Sequence, residues 1–181
     1  VPSQAQSIFQ EGLRIPPIQW QRAGVADAGL TRLWMANTRM PGNLHGDLQA
    51  QCLATAHGVA GMIDLINTCG ANFEAMAEAL WQNTEGATRA AIARAPDGVY
   101  TFTDALDGDG IHDDPVPLSV SLDKRNDRIT IDLRACGTQT AGPVNASRGA
   151  VWAAVSYFSR MLAPQAPSNG ASTAPLHLLT Q

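Results

Sequence analysis

From Leu48 to Ile63 the chain carries no Asp, Glu, Lys or Arg. Around that run, Leu44, Leu48, Cys52, Val59, Ile63 and Ile66 recur at helical spacing. A surface helix normally shows charge on its outer face, so the run predicts a central helix buried nearly all round. Its strong polar groups, Asp47, Gln49 and Gln51, gather at the N-terminal end. Asp47 and Gln51 are four apart and share one face. One reading of Asp47 is an acid at a helix start, where the macrodipole favours it. The other is that Asp47 and Gln51, with Arg39 just upstream, line a polar pocket. Gly58 and Gly61 each cost about 1 kcal/mol of helix propensity against Ala. A second backbone packing closely there would explain them.

The flanks set the limits of this helix. Residues 1–20 mix apolar residues with Gly12 and the pair Pro16-Pro17. Proline pushes the residue before it out of helix, so a strand or extended arm runs to Ile15 and a polyproline turn follows. Glu11 and Arg14 pair with each other, solvate an edge, or contact a substrate. Asp27 caps a helix whose face is Leu30, Leu33, Trp34 and Asn37. Pro41-Gly42 ends it, and Asn43 caps the central helix. Gly70 closes that helix, and Asn72 caps the next. This third helix runs through Phe73, Met76, Leu80, Trp81, Thr84, Thr88 and Ile92, with Glu74, Glu78, Glu85, Arg89 and Arg94 on other faces, so an amphipathic, partly exposed helix is expected, with Glu85 and Arg89 placed to pair. Two long antiparallel helices joined at Gly70 make a hairpin.

At Pro96-Asp97-Gly98 the period changes to alternation. Residues 99–104, 116–122 and 128–133 read as three strands of an antiparallel meander, the last two joined tightly through Asp123 to Asp127. The loop between the first two holds Asp104, Asp107, Asp109, Asp113 and Asp114. A calcium loop aligned on Gly110 would place Ala105 and Val116 where acids are required, so a solvated hairpin loop is expected. A Gly-rich passage, Cys136 to Ala146, lacks the Gly-Lys-Ser/Thr of a P-loop. It leads to a helix from near Asn145 to Met161. Asn145 is read as its N-cap or as a polar contact to substrate. Pro164, Pro167 and Pro175 mark an irregular tail. The fold class expected is α+β: a helical hairpin packed beside a small antiparallel sheet, with a further C-terminal helix. The parts are an arm with helices (1–95), strands (96–135), and a Gly-rich turn, helix and Pro-rich tail (136–181).

Only 15% of the residues are charged, below the ordinary share, and the net charge is −4. No basic run exists, which argues against nucleic acid as a partner. No apolar stretch reaches the ~18 residues of a membrane span. Cys52, Cys69 and Cys136 are odd in number and widely spaced, which fits reduced thiols in a cytoplasmic protein. His45 and His57 each lack a second ligand at metal-like spacing. The low charge points to surface covered by partner chains or by other parts of the same protein. The first residue is Val1 and the last stretch is Leu178 to Gln181, so a central fragment of a longer subunit is expected.

Four passages in order resemble one family. Ile8-Phe9-Gln10-Glu11-Gly12-Leu13-Arg14-Ile15-Pro16-Pro17 resembles a signature of the hydantoinase B/oxoprolinase family. So do Asn37-Thr38-Arg39 followed by Gly46-Asp47-Leu48-Gln49-Ala50-Gln51, Pro96-Asp97-Gly98-Val99-Tyr100 before an acidic loop, and Gly142-Pro143-Val144-Asn145-Ala146 before a helix. The resemblance implies the B-type subunit of ATP-dependent cyclic-amide hydrolases such as N-methylhydantoinase and 5-oxoprolinase. Carboxylases of acetone and acetophenone share this subunit type. In the family an A-type subunit or domain handles ATP and phosphorylates the substrate. The B side completes hydrolysis or carboxylation, in several members near a divalent metal. The family's metal motif, with its Asn-Asp-Pro, Gly-Thr-His and later His pair, has no counterpart here, so no metal ligand is carried over. No cofactor is expected on this piece, which alone is expected to be inactive. The family's Asp-Phe-Thr/Ser-Gly-Ser is replaced here by Asp132-Leu133-Arg134-Ala135-Cys136-Gly137.

The candidate substrate-binding residues are therefore Arg39, Asp47, Gln49, Gln51 and Asn145, acting by polar orientation of a cyclic amide or its phosphorylated form. No nucleophile is assigned. The expected partners are an A-type subunit or domain, the rest of the same subunit, and further copies in an oligomer. The rival readings are a ketone carboxylase subunit and a non-catalytic assembly module held by its apolar helices.

Overall fold

Side chains that take up free backbone N–H groups set where two of the helices start. In the computed structural model, which describes residues 5–180, Asp27 Oδ1 accepts from Leu30 N at 2.8 Å and opens helix α1, Ala28–Ala36. The next helix, α2, spans Pro41–Cys69 and starts without a side-chain cap. Proline at a first helical position lacks the N–H that would need a partner. Pro41 thus begins α2 where the sequence reading has it ending α1, and Asn43 lies inside the first turn where it was expected as the cap. Val1 and Gln181, the chain ends noted above, lie outside the described residues.

The chain divides into two units, residues 1–73 and 74–181. In the first, Ile8–Gln10 form a 3-10 turn, and among the described residues no strand forms between Ala5 and Ile15. Arg14 does not pair with Glu11; its guanidinium lies 5.0 Å above the Phe9 ring. Two short strands, β1 (Gln21–Arg22) and β2 (Val25–Ala26), make a hairpin through Ala23 and Gly24, both at positive φ. Trp20 Nε1 donates to Thr31 Oγ1 at 2.9 Å, and the Trp20 and Trp34 rings stand 5.5 Å apart. This pair anchors the hairpin on α1, and Trp34 is buried.

Helix α2 has 29 residues, roughly 44 Å at 1.5 Å per residue. None of them is buried. Leu53, Val59 and Ile63 are 63%, 58% and 52% exposed, so the expectation of burial all round is not met. A Cβ at Gly58 or Gly61 would find nothing within 4 Å, and no second backbone packs there among the described residues. A contiguous exposed apolar face of this kind marks a surface that something else covers. The helix ends at Gly70, whose φ of 54° suits glycine. Residues Gly70–Asn72 form a 3-10 turn running straight into helix α3, Phe73–Ala93, with Asn72 as the last residue of that turn.

The second unit is built on a four-stranded sheet in the order β3 (Gly98–Leu106), β4 (Val116–Arg125), β5 (Arg128–Asp132), β6 (Leu176–Leu179). The first three form the expected antiparallel meander. The turn between β4 and β5 is tighter than expected, Asn126-Asp127 alone, with Asn126 at φ 52°. The fourth strand was not expected: the tail pairs parallel to β5, Ile129 opposite Leu176 and Ile131 opposite Leu178. Ile92 of α3 and Val155 of α4 (Arg148–Leu162) pack on Ile129, Ile131 and Leu176 to form the core. Thr84 and Thr88 are fully buried on α3 and return their hydroxyls to Leu80 O and Thr84 O. The Glu85–Arg89 pair forms at 2.7 Å, and Asp127 joins it at 3.1 Å. The α+β class holds, with long helices, a small sheet and a C-terminal helix.

The Pro96-Asp97-Gly98-Val99-Tyr100 passage has a structural account. Lys124 is buried, and its Nζ donates to Ala95 O and Asp97 Oδ1, both at 2.6 Å. Asp97 Oδ1 also accepts from Asn126 N at 2.9 Å. Lys124 and then the Asn126 N–H hold the Asp97 carboxyl below its ordinary pKa. Tyr100 donates its hydroxyl to Pro96 O at 2.8 Å. The passage thus ties the start of β3 to the β4–β5 hairpin.

Candidate functional site

Alternation along β3 and β4 puts Phe102, Asp104 and Leu106 on one face, opposite Val120, Leu118 and Val116. The same face carries Leu122, Ile131 and Leu178 into the core. The helical cover reaches the β5–β6 side and leaves the β3 edge open: Phe102 is 65% exposed. Over this uncovered end the Gly-rich passage folds back. Together they enclose a cleft of about 760 Å³, floored by the β3–β4 residues and walled by Cys136 to Thr140, Val144 to Ala146 and Val151. That size and a mainly apolar lining with a few polar groups suit a small-molecule site.

The Gly-rich passage keeps its shape through three anchors. Cys136 Sγ accepts from Ser119 N at 3.3 Å and lies 3.1 Å from Ser119 O, while Gly137 N donates to Pro117 O at 2.7 Å. Asn145 Nδ2 donates to Thr140 O and Gly142 O, both at 2.9 Å, and its Oδ1 accepts from Thr140 N at 2.9 Å. The third anchor is Asp109. Its Oδ1 accepts from His112 N at 2.7 Å and Ile111 N at 2.8 Å, and its Oδ2 from Gly142 N at 3.1 Å. Asp109 is buried, so the loop expected to be solvated is tied down at its centre. His112 and Ile111, more than the Gly142 N–H, pull the Asp109 carboxyl down to about 2. Asp132 is likewise lowered to about 2, chiefly by Arg134, whose Nη2 approaches it to 2.7 Å.

These shifts predict an acid response. A carboxylate with a depressed folded-state pKa contributes stability that is present above the ordinary value of 3.8 and lost as pH falls toward about 2. Asp109→Asn should lower the urea midpoint at neutral pH and flatten its fall through that acid window. Parallel acid slopes for the two proteins would contradict this.

The sequence candidates fall in both units. Arg39 lies just before α2; Asp47, Gln49 and Gln51 lie in its first turns, and all four are exposed. Among the described residues no hydrogen bond or ion pair joins one of their side chains to another. Asn145 lies in the second unit and lines the cleft, but it is not the N-cap of α4. Ser147 takes that place, its Oγ accepting from Ala150 N at 3.3 Å. Asp104, Cys136 and Thr138 also line the cleft, and sequence reasoning did not single them out as site residues. The alternation of β3 was the available signal for Asp104. No three His, Cys, Asp or Glu side chains gather as a metal site among the described residues.

The hydantoinase B/oxoprolinase family model matches residues 1–181. The chain is 28% identical over 168 residues to the acetophenone carboxylase delta subunit of Aromatoleum aromaticum, covering 90% of this chain and 24% of that protein. It is 31% identical over 143 residues to the B-type subunit of a putative D-/L-hydantoinase from Pseudomonas sp. strain NS671, covering 76% of this chain and 24% of that protein. The crystal structure of an ATP-dependent caprolactamase from Pseudomonas jessenii superposes with a TM-score of 0.83 at 25% identity, covering 97% of this chain and 30% of that one. The chain thus spans about a quarter of the length of the curated relatives it matches. With the family signature passages spread across both units, the chain belongs to the hydantoinase B/oxoprolinase family.

Proposed function

We propose that the chain is a central part of the B-type subunit of an ATP-dependent enzyme that hydrolyses cyclic amides, and that it is inactive alone. The observation that carries this reading is the likeness to the ATP-dependent caprolactamase across 97% of the chain. The hydantoinase relative points to the same bond type, an amide within a ring. An A-type subunit or domain supplies ATP chemistry, and the rest of the same subunit, in a cytoplasmic oligomer, covers α2. The 52–66 flank of α2 gives that cover an apolar landing surface apart from Thr55, His57 and Asp64. Arg39, Asp47, Gln49 and Gln51 orient the substrate from the start of α2. Asn145 acts through the Gly-rich loop, because its amide is taken up by backbone groups.

The test is the complete subunit assembled with its A-type partner. ATP-dependent opening of caprolactam or hydantoin is expected, with the Asp47→Asn, Gln51→Ala double variant at least about tenfold slower. Bicarbonate-dependent carboxylation of a ketone without ring opening would place the chain with the acetophenone carboxylase relative instead. A complex that stays assembled and fully active with the double variant would remove the orienting role and favour an assembly module.

A further inference from the structure

Strand β3 is an edge that no further strand covers among the described residues. It is nine residues long, stands first in the sheet order, and pairs with β4 alone. Every residue after Gly98 is exposed. Hydrogen bonding along such a strand alternates between its two sides. Pro117, opposite Ala105, has no N–H to give, and its carbonyl accepts from Gly137 N at 2.7 Å. The Ala105 N–H turns away from β4 and donates to its neighbour, Asp104 Oδ1, at 2.9 Å. By the same parity Val99, Thr101 and Thr103 point N–H and C=O at the open edge, while Tyr100 and Phe102 exchange theirs with Leu122 and Val120. Folded chains blunt such edges with charge, proline or short length. Asp104 does so near the Leu106 end only; from Val99 to Thr103 there is no charge and no proline. Tyr100 and Phe102 carry the apolar face of the sheet out to this edge, 47% and 65% exposed. Thr101 and Thr103, opposite Ser121 and Ser119, carry its polar face there.

We propose that the four-stranded sheet takes a fifth strand at this edge, supplied by the part of the same subunit that lies outside these residues. The inference rests on the reading of the chain as a central part of a B-type subunit and adds the place where the rest of that subunit engages the sheet. The chain covers 24% of the length of the carboxylase and hydantoinase relatives, so most of such a subunit is available to supply a strand. A strand of the same chain is held at high effective concentration and does not lose the freedom of a separate molecule. That favours it over a second copy at an edge this narrow. Its chemistry is set by its neighbour. It alternates at period 2, with apolar side chains beside Tyr100 and Phe102 and polar ones beside Thr101 and Thr103. It lies along the open side of the β3–β4 floor, so it also supplies the wall that the cleft lacks.

The experiment is residue-resolved amide hydrogen exchange on the 181-residue chain and on the complete subunit without its A-type partner. In the 181-residue chain β4 is expected to protect the Tyr100 and Phe102 amides, while those of Val99, Thr101 and Thr103 exchange freely. In the complete subunit these three are expected to slow at least about a hundredfold, which removes the alternation. Amides at 99, 101 and 103 that stay fast in the complete subunit would overturn the proposal. So would amides that slow only when the A-type partner is added, which gives the edge to that partner. Slowing in the 181-residue chain as its concentration rises would give the edge to a second copy and overturn it too. Phe102→Lys checks the side chains. It should leave the urea midpoint of the 181-residue chain unchanged and cut the protection of Thr101 and Thr103 in the complete subunit at least about tenfold. Unchanged protection there would mean that no apolar strand lies beside Phe102. The two readings fail separately. A complete subunit that opens ring amides with its partner yet keeps fast β3 amides removes only the fifth strand. A natural gene product no larger than these residues removes the central-part reading itself.

Discussion

Gly142→Ala is expected to lower the stability of the second unit by about 3 kcal/mol or more. Gly142 is buried, and a Cβ there would overlap the Asp109 backbone carbonyl. That obstacle is main chain, so no rotamer change relieves it. The Gly-rich passage has to move, and moving it draws the Gly142 N–H away from Asp109 Oδ2, now 3.1 Å distant. A buried carboxylate then loses one of its backbone donors. The cleft wall from Thr138 to Ala146 goes with it, so the cleft should lose its shape as the urea midpoint falls. Gly58→Ala and Gly61→Ala are the matched controls. Nothing lies within 4 Å of a Cβ at either position, and Ala gains about 1 kcal/mol of helix propensity over Gly. Both should be neutral or stabilising in the isolated chain. If Gly142→Ala behaves like these two, the clasp between the acidic loop and the Gly-rich passage is not formed as described.

The contrast among these glycines shows what local sequence carries. Gly142 reads in the sequence only as one of two glycines in the 136–146 passage, because its partner Asp109 lies 33 residues away. No spacing rule links the two. Asp27, by contrast, sits next to the helix it caps, and Glu85 lies one turn from Arg89, so both were legible from neighbours alone. Strands β3, β4 and β5 were legible by alternation, while β1, β2 and β6 were not. Asn145 was legible as a polar turn residue, yet Ser147 two residues on has the capping geometry. Either residue type caps equally well, and only the backbone path decides. Residues 48–63 were read correctly as uncharged and wrongly as buried in this chain. Charge content alone does not fix burial: Leu53, Val59 and Ile63 are apolar and more than half exposed.

Ending the chain at Ala163 is expected to unfold the second unit. The removed residues 164–181 carry strand β6 and the 3-10 turn Gly170–Thr173 before it. Ile129 N donates to Pro175 O at 3.2 Å and Leu133 N to Leu179 O at 2.9 Å. Leu176 is 6% exposed and belongs to the core. Asn169 Nδ2 donates to Thr84 Oγ1 at 2.8 Å, and Ser159 Oγ donates to Ser172 O at 2.5 Å. Burial of one leucine contributes about 2 kcal/mol, and each hydrogen bond about 1 kcal/mol. Their sum reaches at least about 5 kcal/mol, comparable with the whole stability of a small domain. Without β6, β5 becomes an exposed edge and Ile129 and Ile131 lose one side of their packing. Three prolines made this tail look irregular, but Pro175 needs only its carbonyl to serve the sheet, and a missing N–H costs nothing at a strand's approach. Urea unfolding followed by far-ultraviolet circular dichroism would decide the matter. A shortened chain with an unchanged midpoint would mean that the core closes without its parallel strand.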